Sequence, residues 1–103
     1  MPEWKFLTNH ALVLCLIAKH PRITAREISA SVGITEKATR NIINNLETDG
    51  YVTKKREGRR IRYRVDPDMP LRSETQQDRA IGDLLETLGW KRRRNQVKKA
   101  VAV

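Results

Sequence analysis

The chain has 103 residues, enough for one small domain with a modest core and too few for two cores of ordinary size. Its 21 lysines and arginines against 12 acidic residues give a formal charge of +9, which points to a polyanionic partner without choosing among DNA, RNA and an anionic membrane. A single cysteine, Cys15, excludes an intramolecular disulfide framework and fits a reducing compartment.

Residues 2 to 7 carry Trp4, Phe6 and Leu7, an arm whose aromatics are expected to pack on the domain. The opening residues lack the basic region and small-residue cleavage site of a signal peptide, and the apolar run from Ala11 to Ala18 is too short to span a bilayer. A cytoplasmic protein is expected, with no membrane contact. From Asn9 to His20 the pattern predicts a mostly apolar first helix, capped by Thr8 or Asn9 and stopped by Pro21. A helix this apolar is expected to be buried on most of its circumference, with Leu12, Val13, Leu16 and Ile17 packing and Cys15 an inert core thiol. His10 and His20 have no partner at ligand spacing, so neither a metal nor a cofactor is expected.

Thr24-Ala25-Arg26-Glu27 has the spacing of a capping box and predicts a short helix from Ala25 to about Val32 that buries Ile28 and Val32. Gly33 permits a sharp turn, Ile34 plugs it, and Thr35 caps the next helix, whose stop is marked by Gly50. Helix, short glycine turn and second helix make a helix-turn-helix. Along the second helix Ala38, Ile42, Ile43 and Leu46 form the apolar stripe, while Lys37, Arg40, Asn41, Asn44 and Thr48 share the opposite face. Arginine and asparagine carry the paired donors and acceptors that match base edges in a major groove. The Arg22-Ile23 segment ahead of this motif is placed to pair as a minor strand.

After Gly50 the period changes to two. Tyr51 to Arg56 and Arg59 to Val65 flank Glu57-Gly58 and predict a two-stranded hairpin. Tyr51, Val52, Ile61 and Tyr63 are expected to dock on the helices, because an isolated hairpin is marginal in water. The other face and the tip are expected to gather Lys54, Lys55, Arg56, Arg59, Arg60, Arg62 and Arg64 around a single acidic residue, Glu57. The candidate DNA-contacting residues are therefore Thr35, Glu36, Lys37, Arg40, Asn41 and Asn44 on the helix and Lys55, Arg56, Arg59, Arg60 and Arg62 on the hairpin.

Residues 22 to 65, and above all the passage Leu46-Glu47-Thr48-Asp49-Gly50-Tyr51-Val52 leading into the hairpin, resemble winged helix-turn-helix transcriptional regulators of the MarR and ArsR type. The resemblance implies that the helix from Thr35 to Asp49 enters the major groove and that the hairpin is a wing on phosphates or the adjacent minor groove. Two departures stand out. The sequence has no cysteine and histidine cluster like that of ArsR-type metal sensors, and it is shorter than a usual MarR regulator, whose ligand pocket lies against long dimerisation helices.

Asp66-Pro67-Asp68-Met69-Pro70 breaks regular structure. Ser73 and Gln76 then signal a last helix from about Glu74 to Leu88, with an apolar stripe of Ile81, Leu84, Leu85 and Leu88. That stripe either folds back over the first helix or pairs with its copy, and the resemblance favours a homodimer. Residues 91 to 103 hold Lys91-Arg92-Arg93-Arg94 and Lys98-Lys99, a basic tail of the kind that serves as a nucleic-acid arm.

The expected fold class is mostly α with a small β-hairpin, α+β. Its expected parts are a winged helix-turn-helix over 1–66, a linker over 67–72, an amphipathic helix within 73–90 and a tail over 91–103. The expected function is a sequence-specific regulator that binds double-stranded DNA. The alternatives are a protein-interaction module on the same fold and a non-specific nucleic-acid binder. No Ser/His/Asp set, phosphate-binding glycine loop or paired carboxylates suggest an enzyme.

Overall fold

The computed structural model describes residues 5–71 and 80–91, and the chain divides into two compact units, Met1–Asp66 and Pro67–Val103. Trp4, the cap and helical start expected at Ser73 and Glu74, and the basic tail from Arg92 onward lie outside the described residues.

The first unit runs α1 (Asn9–Lys19), α2 (Ala25–Val32), α3 (Glu36–Thr48), β1 (Val52–Glu57) and β2 (Arg60–Val65). Each helix starts on a threonine whose Oγ1 accepts an otherwise orphaned amide. Thr8 accepts from Ala11 at 3.1 Å, Thr24 from Glu27 at 3.1 Å and Thr35 from Ala38 at 3.0 Å. At α2 the Thr24 amide also donates to Glu27 Oε1 at 2.9 Å, so the box is reciprocal. Gly33, at φ 87°, turns the chain between α2 and α3, and its amide and that of Ile34 close on the Ser29 carbonyl at 2.8 and 3.2 Å. Helix α3 ends in the paired bonds of a Schellman motif, Tyr51 N–H to Leu46 O and Gly50 N–H to Glu47 O.

The core of this unit is one cluster drawn from every element: Val13, Leu14 and Ile17 of α1, Ile28 of α2, Ile42, Ile43 and Leu46 of α3, and Tyr51, Val52 and Tyr63 around the hairpin. Two buried hydroxyls bond back within their helices, Ser29 to the Arg26 carbonyl and Thr39 to the Thr35 carbonyl. Helix α1 is less enclosed than its composition suggests. Leu12, Leu16 and Cys15 are only half-buried and Leu14 takes the core position, because α2, α3 and β2 pack on one side of α1 and do not surround it. Val32 is likewise half-buried, and Phe6 is 90% exposed, so Phe6 is not a packing anchor.

Strands β1 and β2 are antiparallel with Val52 opposite Val65 and Glu57 opposite Arg60, joined by the two-residue turn Gly58-Arg59. Gly58 takes φ 63° and Arg59 stays at negative φ, the pattern of a type II′ turn. One backbone bond ties the hairpin to the body, Tyr63 N–H to Pro21 O at 2.8 Å, and a second, Asp66 N–H to Tyr51 O at 2.9 Å, extends the ladder by one pair at its base. The minor strand expected at Arg22-Ile23 does not form: neither residue is in a strand or bridge, and the bond from β2 goes to the preceding Pro21 carbonyl.

In the second unit, α4 spans Ile81–Thr87. The sequence pattern places its start near Glu74. Ala80 is instead extended (ψ 153°) and bridges Pro70, and the Ile81 and Gly82 amides donate to the Met69 and Pro67 carbonyls, so the helix begins at Ile81. The difference is a long-range backbone pairing that local periodicity does not encode. Ile81 and Leu85 are buried, and Leu84 and Leu88 are half-buried. Among the described residues no helix is long and apolar enough to cross a membrane.

The fold makes Ile28 a hub and Thr24 a cap. Ile28→Ala is expected to lower the unfolding free energy by about 2–5 kcal/mol, and Thr24→Ala by about 0.5–2 kcal/mol, in urea denaturation. A loss under about 1 kcal/mol at Ile28 would contradict the central place given to α2.

Candidate nucleic-acid interface

Helix α3 buries Thr39, Ile42, Ile43 and Leu46 and leaves Lys37, Arg40, Asn41, Asn44 and Thr48 exposed, so the polar stripe read from the sequence is the outward face. Lys37, Asn41 and Asn44 form no hydrogen bond or ion pair among the described residues, which leaves their donors and acceptors to an external partner. Arg40 is engaged. Its Nη2 donates to Glu36 Oε1 at 3.2 Å one turn earlier, and Glu36 Oε2 lies 3.8 Å from Arg26 Nε of α2. Glu36 therefore orients the Arg40 guanidinium. Thr35 Oγ1 accepts the Ala38 amide in the α3 cap, and its hydroxyl proton stays available to donate.

A cleft of about 450 Å³ opens between the start of α2, the exposed side of α3 and the hairpin. Ile23, Ile43, Ile61 and Tyr63 give it an apolar floor, and Arg22, Arg40, Lys54, Arg59 and Arg60 line it with positive charge. Thr24 and Ala25 bring the positive end of the α2 dipole to the same opening. Burial, with the nearby Glu47 charge adding to it, pushes the Tyr63 phenol above its ordinary pKa, so the hydroxyl stays protonated. Cationic walls, a helix N-terminus and an uncharged floor suit a phosphate-bearing ligand.

Of the residues singled out from the sequence, the cleft brings together Arg40, Asn44, Arg59 and Arg60. Lys37 and Asn41 lie on the same helix outside the cleft lining, while Lys55 and Arg62 lie on the outer face of the hairpin. One assignment is corrected. Arg56 stands opposite Ile61 and Lys54 opposite Tyr63, so both share the inward face, whereas Lys55, Arg60, Arg62 and Arg64 share the other with Glu57. Successive residues of a strand point to opposite faces, so the six cations on the two strands cannot all point one way, and Arg59 lies in the turn.

Three pairs restrain the cations. Lys54 Nζ is 3.4 Å from Glu47 of α3, Arg62 Nη1 is 3.6 Å from Glu57, and Arg22 Nη2 donates to Glu57 at 3.0 Å. Arg59 and Arg60 form no ion pair among the described residues. Arg22 is the residue missed by sequence reasoning. The bond from the Tyr63 amide to the neighbouring Pro21 carbonyl lays it alongside β2, a long-range contact that the local sequence does not signal. No group of three or more metal-ligating side chains occurs among the described residues.

Hydrogen bonds depress two carboxylates. The Thr24 amide and hydroxyl hold Glu27 below the ordinary glutamate range, with smaller contributions from Arg60 and His20. The Arg22 guanidinium does the same for Glu57, with Arg62 adding to it. Both carboxylates are ionised at neutral pH.

Residues 8–53 match the family model described as winged helix-turn-helix DNA-binding. Among solved structures, the chain is similar to the crystal structure of the predicted DNA-binding transcriptional regulator from E. coli, with 22% identity and a TM-score of 0.54 over 76% of this chain and 70% of that one. It is also similar to MepR, described as a transcription regulator of the Staphylococcus aureus multidrug efflux pump MepA, with 13% identity and a TM-score of 0.54 over 79% of this chain and 56% of that one. At these identities the likeness is one of fold. No curated protein is significantly similar to the chain.

Because both carboxylates titrate lower in the fold than in the unfolded chain, the stability each contributes is present above the unfolded value and is lost as pH falls through the folded one. Carboxyl-detected NMR titration is expected to place the Glu27 and Glu57 midpoints below that of glutamate in a short peptide. Glu27→Gln is expected to flatten the acid limb of stability; an unchanged limb would mean the capping box carries none of it.

Proposed function

We propose, from the premise that residues 8–53 form a winged helix-turn-helix DNA-binding domain, that the protein is a transcriptional regulator which reads double-stranded DNA with α3 in the major groove and the hairpin on the backbone. The observation that carries this reading is the exposed α3 face. It presents Lys37, Arg40, Asn41 and Asn44 beside a cleft whose lining adds Arg59 and Arg60 from the wing. Asn41 and Asn44 offer the donor and acceptor pair that matches adenine, and Arg40, aimed by Glu36, offers the fork that matches guanine.

The wing residues act on phosphate. Arg59 and Arg60 lie at the tip without an internal ion pair among the described residues, and Lys55 and Arg62 extend the positive face on which a strand of the duplex would run. The start of α2, with the Ala25 amide and the helix dipole, supplies a further phosphate position on the cleft. This division assigns sequence reading to α3 and orientation to α2 and the wing.

A two-fold dimer is part of the proposal, since helix-turn-helix proteins pair half-sites about one helical turn apart. Within α4 the surface left for a partner centres on Leu84 and Leu88, because Ile81 and Leu85 are already buried. Acting in the cytoplasm follows from the same reading.

Selection of duplexes from a random pool at two salt concentrations tests the proposal. A defined motif is expected to survive at higher salt, and its palindromy reports the dimer. Arg40→Ala is expected to cost about 1–3 kcal/mol on the selected site and relax one position. Arg60→Ala is expected to weaken all duplexes alike and flatten the salt slope by about 0.9. Equal, sequence-independent losses for both variants would overturn the division of labour.

A further inference from the structure

Between residues 54 and 64 the hairpin carries seven cations and one anion, Glu57. That carboxylate stands on the outer face with Lys55, Arg60, Arg62 and Arg64. Its Oε1 accepts from Arg22 through Nε at 3.3 Å and Nη2 at 3.0 Å, and its Oε2 lies 3.6 Å from Arg62 Nη1. Two guanidiniums, one from the segment before α2 and one from β2, thus converge on the two oxygens of one carboxylate. A backbone phosphate also presents two non-bridging oxygens to arginine forks.

Neither arginine is committed by burial. The Arg22 and Arg62 side chains keep 57% and 45% of their exposure, and Glu57 keeps 32%. Exposed ion pairs contribute little to folding, so stability does not explain a lone carboxylate in a basic wing. Its position does have one large effect on a polyanionic partner. While Glu57 is in place, two cations beside the cleft are neutralised in part, and the carboxylate itself repels an approaching phosphate.

We infer that Arg22 and Arg62 form a second backbone-phosphate site of the wing, and that Glu57 occupies it in the free protein as an internal competitor of the DNA phosphate. The inference rests on the DNA-binding reading and adds to it Arg22, a contact residue outside both α3 and the hairpin, and a carboxylate that limits charge-driven affinity. Binding at this site exchanges one anion for another. Fewer counterions are then released than the cation count suggests, and the salt dependence of binding is shallower.

The test measures binding of the full chain to a duplex of arbitrary sequence between 50 and 200 mM salt, for wild type, Glu57→Gln and Glu57→Ser. Both variants are expected to steepen the slope of log affinity against log salt by about 0.9 for each arginine released. They are expected to tighten binding at the low-salt end and to enlarge the loss of affinity between 50 and 200 mM salt by about threefold for each arginine freed to meet a phosphate. In a chain carrying Arg22→Gln and Arg62→Gln, the same Glu57 changes are expected to leave the slope where it was. Unchanged slopes for both Glu57 variants in the native background would overturn the inference, as would equal steepening in the doubly substituted background, which would reduce the effect to net charge. Wild-type protein without affinity for any duplex at 50 mM salt would overturn the DNA-binding reading itself, an outcome distinct from wild-type binding that does not respond to Glu57. Thermal unfolding of each variant is expected to stay cooperative, and the agreement of Gln and Ser separates loss of the carboxylate from a local distortion.

Discussion

Everything the interface does depends on the hairpin being docked, because two strands alone cannot hold a ribbon in water. Val52 and Tyr63 are buried against the helices, the Tyr63 amide reaches the Pro21 carbonyl, and the Asp66 amide returns to Tyr51. The first bond fixes β2 against the segment that leads into α2, and the second closes the base of the ribbon. The cleft exists because of that attachment, since its floor and two of its walls come from residues on either side of the joint. A free ribbon with the same arginines would present charge without geometry.

The second requirement is the phase of α3. A helix can offer Arg40, Asn41 and Asn44 outward only if Ile42, Ile43 and Leu46 are held inward, and a slip of one residue rotates the stripe by about 100°. Caps at both ends prevent the slip: Thr35 on the Ala38 amide at the start, and the Schellman bonds from Tyr51 and Gly50 at the stop. Buried Thr39 adds a restraint inside the first turns through its bond to the Thr35 carbonyl. The C-terminal lock of α3 and the N-terminal anchor of the wing are one structure, because Tyr51 serves both.

What could be read from the sequence was what short-range chemistry specifies. Thr24 and Glu27 three residues apart, Gly33 and Thr35 define both helices of the motif without reference to anything distant, and the change of period after Gly50 defines the hairpin. Three features were not legible for a common reason. The partial exposure of Leu12 and Leu16, the start of α4 at Ile81 and the recruitment of Arg22 each depend on a partner far along the chain: a neighbouring helix, the Pro70 bridge and Glu57, 35 residues from Arg22. Arg56 is different. Its inward placement follows from strand alternation alone and was available from the pattern that revealed the strands.

A chain of charge +9 has no difficulty in attracting nucleic acid; its difficulty is in attracting too much of it. Non-specific affinity comes almost wholly from cations meeting phosphates, whereas preference for one sequence comes from base edges. The pairs Glu36 with Arg40, Glu47 with Lys54 and Glu57 with Arg22 each set a carboxylate beside a cation of the cleft lining. Exposed pairs of this kind do little for folding, but they order long side chains that would otherwise lose rotamer freedom on binding. They also lower the charge presented to a passing duplex. Arg59 and Arg60, without such partners among the described residues, keep their full charge for the backbone contact proposed for the wing.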